Sequence, residues 1–229
     1  MIRIERGRSA DSDATPPPEA ALRKLIIFHK RAAGLDRAAF DAWALAGHCD
    51  LVTRIPGLRR CTISIEVDGD TGAFDAATEL WFDDTAAVAA GLASEAGLQV
   101  QADVAAHASQ FERVETVEHP FVDTGLPARF KLLAPLKRRA DMTRAEFKSW
   151  WLDRHAPLVV VFPELRRYQV DIVEDGPEAF VDGIAEVSFG DLETLKRIMS
   201  RTQVKDVQQD SQVHTVARYR MFGEEHPVF

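Results

Sequence analysis

Residues 131–165 read KLLAPLKRRADMTRAEFKSWWLDRHAPLVVVFPEL, and residues 24–58 read KLIIFHKRAAGLDRAAFDAWALAGHCDLVTRIPGL. The two stretches align without a gap at an offset of 107, and the same offset continues to the end of the chain. Over the 99 aligned positions, 24–122 against 131–229, 32 residues are identical, whereas average residue usage would give about 6% by coincidence. The chain therefore contains a duplicated domain.

The repeat divides the chain into four parts. Residues 1–22 have a polar, Pro-rich composition that cannot bury much surface, so we expect a flexible arm. Copy one spans residues 23–122, a turn-rich linker covers 123–129, and copy two spans 130–229. A period of 107 residues is longer than the roughly 20–50 of solenoid repeats, so each copy is predicted to be a complete small domain.

Copy two shows the pattern of a β-α-β-β-α-β unit, the ferredoxin-like split arrangement. An apolar run at 130–136 predicts the first strand. Thr143, followed three residues later by Glu146, predicts a capping box that starts a helix. The remaining elements are predicted as strands at 166–172 and 184–189, a helix from Asp191, and a last strand around 216–222.

Such a unit carries helices on one face of its sheet and leaves the other face bare. The sheet of the other copy is the most economical cover. We therefore predict an α+β fold in which two ferredoxin-like βαββαβ repeats form an intrachain pseudo-dimeric α+β barrel. Strand alternation predicts the side chains that line its interior: Gln169, Asp171, Glu186 and Ser188 from copy two, and Thr62, Ser64, Glu66, Glu79 and Trp81 from copy one. This polar interior is either a solvated or ligand-filled cavity, or the strand faces are inverted by one residue.

Composition argues against several classes of function. The 28 Lys and Arg against 36 Asp and Glu give a net charge of −8, so we expect neither nucleic acid nor an anionic membrane as partner. The apolar run Leu158–Phe162 is far shorter than the roughly 20 residues that cross a bilayer, and no secretion signal is evident, so a cytoplasmic location is expected. Cys49 and Cys61 form no CxxC, and no HxxxH, HxH or HExxH occurs, so no metal site is predicted.

His155 is the strongest catalytic candidate. It lies one helical turn after Trp151 and two turns after Phe147, at the end of an aromatic helical stripe. A helix dipole there favours the imidazolium, and a nearby carboxylate could tune it for general acid–base catalysis. The alternative is a packed histidine bonded to a backbone carbonyl. His48 is the counterpart in copy one and a weaker candidate.

The barrel-facing carboxylates are the other catalytic candidates. Glu79, Glu186 and Asp171 could orient an imidazole or share a proton with it. They could equally be solvated, or salt-bridged to Arg60 or Arg167. Aromatic rings give rigid apolar walls, so the candidate substrate-binding residues are Trp150, Trp151, Tyr168 and Trp81.

The motif residues of copy two resemble the EthD family. They comprise residues 138–147, Trp150, 155–159 and 163–168, and copy one carries a diverged version. The resemblance implies small dimeric α+β-barrel domains, for many of which no activity is assigned. Other members are similar to methylmuconolactone isomerases, or to decarboxylases and dehydratases that tailor aromatic polyketides, and these work without a metal or organic cofactor.

Two features of the resemblance bear on the site. The helix histidine of those isomerases aligns with His155 and His48, whereas their catalytic cysteine falls near Val187 and Leu80, so this chain lacks it. Copy one also has Cys49-Asp50 where copy two has Ala156-Pro157, which argues against equal activity of the two halves.

The leading hypothesis is a cofactor-independent enzyme that transfers protons on a small apolar or aromatic, polyketide-like oxygenated metabolite. The reaction would be an isomerisation, an elimination such as dehydration, a decarboxylation or a cyclisation, the chemistry of a lyase or isomerase in aromatic catabolism. No GxGxxG, GxxxxGK[ST] or GxSxG occurs, which favours cofactor-free chemistry. The alternatives are a non-catalytic small-ligand-binding accessory protein, or a cofactor-free or haem-linked oxygenase on a related barrel. Whether two such chains associate into a homodimer stays open.

Overall fold

The structure is a computed structural model that describes residues 22–67, 69, 72–174 and 178–229. The arm expected at residues 1–22 lies outside the described residues, apart from its last residue. Within the described part of the chain, no helix is both long enough and apolar enough to cross a membrane.

Each copy follows the predicted order of elements. Copy one contains β1 (Arg23–Arg31), α1 (Arg37–Trp43), a π-helical turn (Ala44–His48), α2 (Cys49–Val52), β2 (Arg60–Glu66), β3 (Ala76–Phe82), α3 (Thr85–Ala93), α4 (Glu95–His107) and β4 (Ala108–Asp123). Copy two contains β5 (Phe130–Arg138), α5 (Arg144–Trp150), a π-helical turn (Trp151–His155), α6 (Ala156–Val160), β6 (Arg167–Ile172), β7 (Gly183–Phe189), α7 (Leu192–Met199), α8 (Thr202–His214), β8 (Thr215–Arg218) and β9 (Met221–Pro227). The β-α-β-β-α-β prediction is thus confirmed.

The helix boundaries follow from local chemistry where the sequence signals it. The capping box forms as predicted, because Glu146 N donates to Thr143 Oγ1 at 3.2 Å and Thr143 N donates to the Glu146 carboxylate at 2.8 Å. The helical stretch from Asp191 differs from the prediction, because it breaks into α7 and α8 at Arg201, which is extended at φ −73° and ψ 156°. No Gly or Pro lies at this break, so the sequence carries no signal for it.

Within the described residues, eight strands close into a barrel in the order β7-β6-β4-β1-β3-β2-β9-β5, and β5 pairs with β7 to complete the ring. All pairings are antiparallel. The copies join edge to edge, with His119 of β4 opposite Val170 of β6 and Ser64 of β2 opposite Glu225 of β9. This pairing removes the exposed edges that each isolated sheet would have.

Buried side chains from both copies occupy the barrel interior. One end is an apolar layer that includes Ile26, Phe28, Leu133, Ile184 and Met221. The other end is a charged layer built on two fully buried lysines, one from each copy. The predicted polar faces are therefore correct, and the alternative of an inverted register is wrong.

The charged layer links the two copies. Lys24 Nζ lies 2.7 Å from Glu79 Oε1 and 3.3 Å from Asp171 Oδ2, and it also forms an ion pair with Glu186. Lys131 Nζ lies 2.9 Å from Glu186 Oε2, and it also forms an ion pair with Glu79. Each lysine thus contacts carboxylates of both copies. We call Lys24, Lys131, Glu79, Glu186, Asp171, Glu118 and Glu225 the lumen network.

Replacing Lys131 by Met should destabilise the protein by about 3–5 kcal/mol, because the variant leaves buried carboxylates without their cation. The measurement is the free energy of unfolding from urea denaturation at pH 7. Lys205→Met, on an exposed position of α8, is the control and should change stability by less than about 0.5 kcal/mol. Equal stabilities of the two variants would contradict a stabilising role for Lys131.

Candidate functional site

A π-helical turn ends at a histidine in both copies, at His48 and at His155. π-helical turns are rare in proteins, and those that do occur are often found at functional sites. Each turn follows directly on the helix that carries the motif tryptophan, Trp43 or Trp150. The histidine is therefore held in a defined place between the sheet and the helices.

His155 forms a dyad with Asp210 of α8. His155 Nδ1 lies 2.6 Å from Asp210 Oδ2, and Trp150 Nε1 donates to the same oxygen at 3.1 Å. The Trp150 ring packs against the His155 ring and stacks on His214, with centroids 4.8 and 4.5 Å apart. The carboxylate and the indole together hold the imidazole in one orientation.

The environment of His155 favours a neutral imidazole. Burial lowers its pKa below the ordinary 6.5, and the hydrogen bond and charge of Asp210 oppose this shift in part. Since the ionised Asp210 accepts, we assign the proton to Nδ1, which leaves the lone pair on Nε2. Among the described residues none bonds to Nε2, so His155 can act as a base.

His155 lines a cavity of about 250 Å³ between the sheet of copy two and its helices. The wall is mostly aliphatic, and its polar part comes from α8 and from the segment around 218–220. The lining residues include Leu132, Ala134, Leu136, Val159, Phe162, Ala185, Val187, Met199, Val204, Val207, Gln208, Ser211 and Gln212. A base thus faces a small, largely apolar space.

Copy one repeats the dyad with other surroundings. His48 Nδ1 and Trp43 Nε1 each lie 2.9 Å from Asp103 Oδ2, and burial lowers the pKa of His48. The position that corresponds to Leu136 is His29, whose ring centroid lies 5.8 Å from that of His48. Burial lowers the pKa of His29 to about 3, so it is neutral.

The region of copy one that corresponds to the cavity is arranged differently around its histidine. Ala134 and Ser211 of the cavity wall correspond to Ile27 and Val104, which are both buried. A groove of copy one is lined by the counterparts of several cavity residues, among them Leu25, Leu92 and Gln101, but His48 is not among its described lining residues. The two histidine dyads therefore differ in their access to a ligand.

The barrel carboxylates lie apart from the histidines. Glu186 follows Ala185 and precedes Val187, which line the cavity, so strand alternation sends its side chain to the opposite face of the sheet. Glu79 and Asp171 lie in the same lumen network. The carboxylates therefore do not share a chamber with His155. They form ion pairs with Lys24 and Lys131, which were not predicted from the sequence as their partners.

The four aromatic candidates do not lie in the cavity wall. Trp150 supports the dyad, and Trp151 is a fully buried residue of the copy-two core. Tyr168 is fully buried in the same core, and burial raises the pKa of its hydroxyl. Trp81 lies at the charged end of the lumen, where the Arg60 guanidinium carbon is 3.6 Å from its ring centroid.

Sequence reasoning missed the lysines and the dyad carboxylates. Lys24 and Lys131, and likewise Asp103 and Asp210, are related by the 107-residue offset and identical in both copies, which is a signal that could have drawn attention to them. Asp210 was not identified from the sequence because this residue lies 55 positions beyond His155. Only the packing of α8 brings the two side chains together.

Glu79, Glu186 and Glu225 lie close enough together to hold a metal ion. The ammonium of Lys131 already lies among them, with Nζ 3.0 Å from Glu225 Oε2. Burial, followed by the charge of Glu186, raises the pKa of Glu79 to about 7. The cluster is therefore balanced by lysines and by a proton shared among its carboxylates.

The EthD domain family model matches residues 32–110 and 139–215, one segment in each copy. The chain belongs to the EthD family. The matched segments contain both π-helical turns and both dyads. Among curated proteins, none matches the sequence.

Solved structures confirm the barrel as a known architecture. An anthrone oxidase-like protein is similar to this EthD protein with a TM-score of 0.71 at 9% identity, covering 92% of this chain and 94% of that one. A Lactobacillus acidophilus NCFM protein, provisionally described as a monooxygenase, is similar with a TM-score of 0.54 at 12% identity. The match covers 90% of this chain and 94% of that one. A mutant chlorite dismutase of Candidatus Nitrospira defluvii is similar with a TM-score of 0.57 at 12% identity, and the match covers 92% of each chain. At such identities the likeness shows the fold alone.

Replacing Asp210 by Asn should lower the pKa of His155 further, because the carboxylate raises it through its hydrogen bond and its charge. The measurement is an NMR pH titration of the histidine ring protons. Asp103→Asn in copy one is the matched control and should lower the pKa of His48 without moving that of His155. An unchanged His155 titration in Asp210→Asn would contradict the dyad.

Replacing Glu79 by Gln should change how stability depends on pH. Folded Glu79 keeps its proton up to about pH 7, whereas the unfolded residue releases it near 4.5. The wild-type protein should therefore lose stability relative to the variant as the pH rises from 4.5 to about 7. Urea denaturation of both proteins across this range gives the difference, and a constant difference would contradict the raised pKa.

Proposed function

We propose that this EthD protein is a cofactor-independent enzyme that transfers protons on a small apolar or aromatic oxygenated molecule bound in the cavity of copy two. The observation that carries the proposal is the neutral His155, fixed through Nδ1 by Asp210 and lining an aliphatic cavity with Nε2 left for a ligand. His155 is the general base, and Asp210 is a positioning residue.

The dyad suits abstraction of a proton from a carbon next to a carbonyl. Nε2 takes the proton, the electron pair of the broken C–H bond becomes an enolate, and the imidazolium is stabilised by Asp210. Return of the proton to another atom completes an isomerisation. In an elimination, the imidazolium instead gives the proton to a hydroxyl group of the substrate, and that group leaves as water.

The size of the cavity favours a substrate of modest size. The anthrone oxidase-like protein carries in its description a tricyclic aromatic ketone, which is a carbon acid of the kind that His155 could deprotonate. The cavity volume of about 250 Å³ is close to the lower end of ligand pockets, about 300 Å³. The proposal therefore favours compact ring systems.

A non-catalytic binding protein is the second candidate function, because an aliphatic cavity can hold a ligand without transforming it. A haem-linked oxygenase fits less well. Haem is larger than a drug-sized ligand, and the cavity is smaller than the roughly 300 Å³ at which sites for such ligands begin. The residues of copy two therefore do not fit haem.

Several sequence predictions stay predictions beside this proposal. They are the domain boundaries at 23–122 and 130–229, the cytoplasmic location, a role in aromatic catabolism and the association of two chains into a homodimer. Catalytic roles for His48, Glu79, Glu186 and Asp171 are not part of the proposed mechanism, because none of these residues lines the cavity of copy two.

Replacing His155 by Ala should reduce proton exchange by about 10²–10⁴-fold, because the variant lacks the base. The measurement is enzyme-dependent incorporation of deuterium from D2O into anthrone and a panel of aromatic ketones and lactones, followed by NMR. Exchange should fall as the pH drops through the lowered pKa of His155, below 6.5, since only the neutral imidazole accepts a proton.

His48→Ala is the matched control and should keep wild-type exchange, since His48 does not line the cavity of copy two. Both variants should keep their stability within about 1–2 kcal/mol of the wild type. Equal loss in both variants would contradict a single active copy. Binding of a panel compound to the wild type without any exchange would favour the binding protein instead.

A further inference from the structure

We infer that the ligand of the copy-two cavity carries an anionic oxygen, such as a carboxylate, held by Arg218 and Arg220. This inference rests on the proposed function and names its substrate class. It is carried by the charges in the cavity wall and by the absence of ion pairs at the two guanidinium groups among the described residues.

The charged side chains of the cavity wall have one sign. Arg218 and Arg220 line the cavity together with His155, and no Asp or Glu is found among the described residues that line it. The chain as a whole carries a net charge of −8. Both arginines are solvent-exposed, and they also border a neighbouring groove that contains Glu66. They therefore attract anions at the mouth of the cavity, where salt screens part of the effect.

The last strand of copy two is interrupted where the two arginines lie. In copy one, β4 runs without a break from Ala108 to Asp123. In copy two the strand is interrupted at residues 219–220, where Tyr219 N donates to Pro135 O at 2.9 Å. Arg218 directly precedes this interruption and Arg220 lies within it, and both line the cavity.

Arg218 is held in place without being neutralised. Its Nη1 donates to Thr215 Oγ1 at 3.3 Å, and that buried hydroxyl donates in turn to Ser211 O at 2.7 Å. The Arg220 guanidinium carbon lies 5.7 Å from the Phe222 ring centroid. Among the described residues neither arginine forms an ion pair, whereas Arg138 and Arg167 of the same copy do.

An unpaired guanidinium is a good donor for a carboxylate. Its planar fork presents parallel N–H groups that match two carboxylate oxygens, and such charge-assisted bonds are stronger than neutral ones. An anion held there would leave the apolar body of the ligand against the aliphatic wall. The arginines are thus binding residues that orient the ligand relative to His155.

Copy one provides the matched comparison. Its residues equivalent to Arg218 and Arg220 are Phe111 and Arg113. Arg113 lines the groove of copy one that contains the counterparts of several cavity residues, and this groove also contains Glu112 and Glu115. The paired cations facing a cavity are therefore a feature of copy two.

The test compares 2-naphthoate with 2-naphthamide, two probes of similar shape that differ in charge. Calorimetric titration of the wild-type chain should give about tenfold or greater preference for the carboxylate, and this preference should shrink as salt rises from low to high concentration. Arg218→Gln with Arg220→Gln should abolish the preference and leave the affinity for the amide within about twofold. Arg113→Gln should behave as the wild type.

Three results would overturn the inference: no binding of the carboxylate by the wild type at millimolar concentration, equal affinity for both probes, or a preference that survives in the double variant. The experiments distinguish a failure of the anion-binding inference from a failure of the proposed reaction. Deuterium exchange on neutral ketones without a carboxylate preference would remove the inference alone. Arginine-dependent carboxylate binding without exchange on any probe would support it and remove the proposed reaction.

Discussion

The ion pairing of two buried lysines inside the barrel is the interaction on which the rest of the structure depends. Each ammonium is fully buried and bonded to carboxylates from both copies. An unpaired charge at such a site is strongly unfavourable. Neither copy alone supplies the full set of partners, so the charged layer requires the two copies to close on each other. The barrel in turn provides the rigid sheet against which the helices and the dyad pack.

Tandem fusion allows the two halves to differ around this shared centre. The lumen keeps the repeat symmetry, with Lys24 and Lys131, and Glu79 and Glu186, at equivalent positions. The outer faces do not, because the copies carry different side chains there. In copy two Trp151 packs over Gly183, where a methyl group would approach its ring to 2.8 Å. Copy one has alanine at both equivalent positions, 44 and 76. The surroundings of the dyad in copy two can therefore differ from those in copy one while both copies share the same barrel.

The histidine dyad shows how the same motif acquires different chemical settings. His48 and His155 share a π-helical turn, a tryptophan donor and an aspartate partner. Burial keeps both imidazoles neutral. The cavity beside His155 and the two arginines at its wall distinguish the halves. Position 218 is an arginine in copy two, whereas its counterpart in copy one is Phe111.

The sequence by itself determined the duplication, the β-α-β-β-α-β order, the polar faces of the barrel strands and His155 as the leading candidate. These follow from local signals: a constant offset, strand alternation, a capping box and a helical stripe. Only the tertiary structure decided that the barrel carboxylates are paired with Lys24 and Lys131, that Asp210 orients His155, and that the cavity lies between sheet and helices. Each depends on contacts between residues far apart in the chain, and local sequence patterns contain no information about which distant side chains meet.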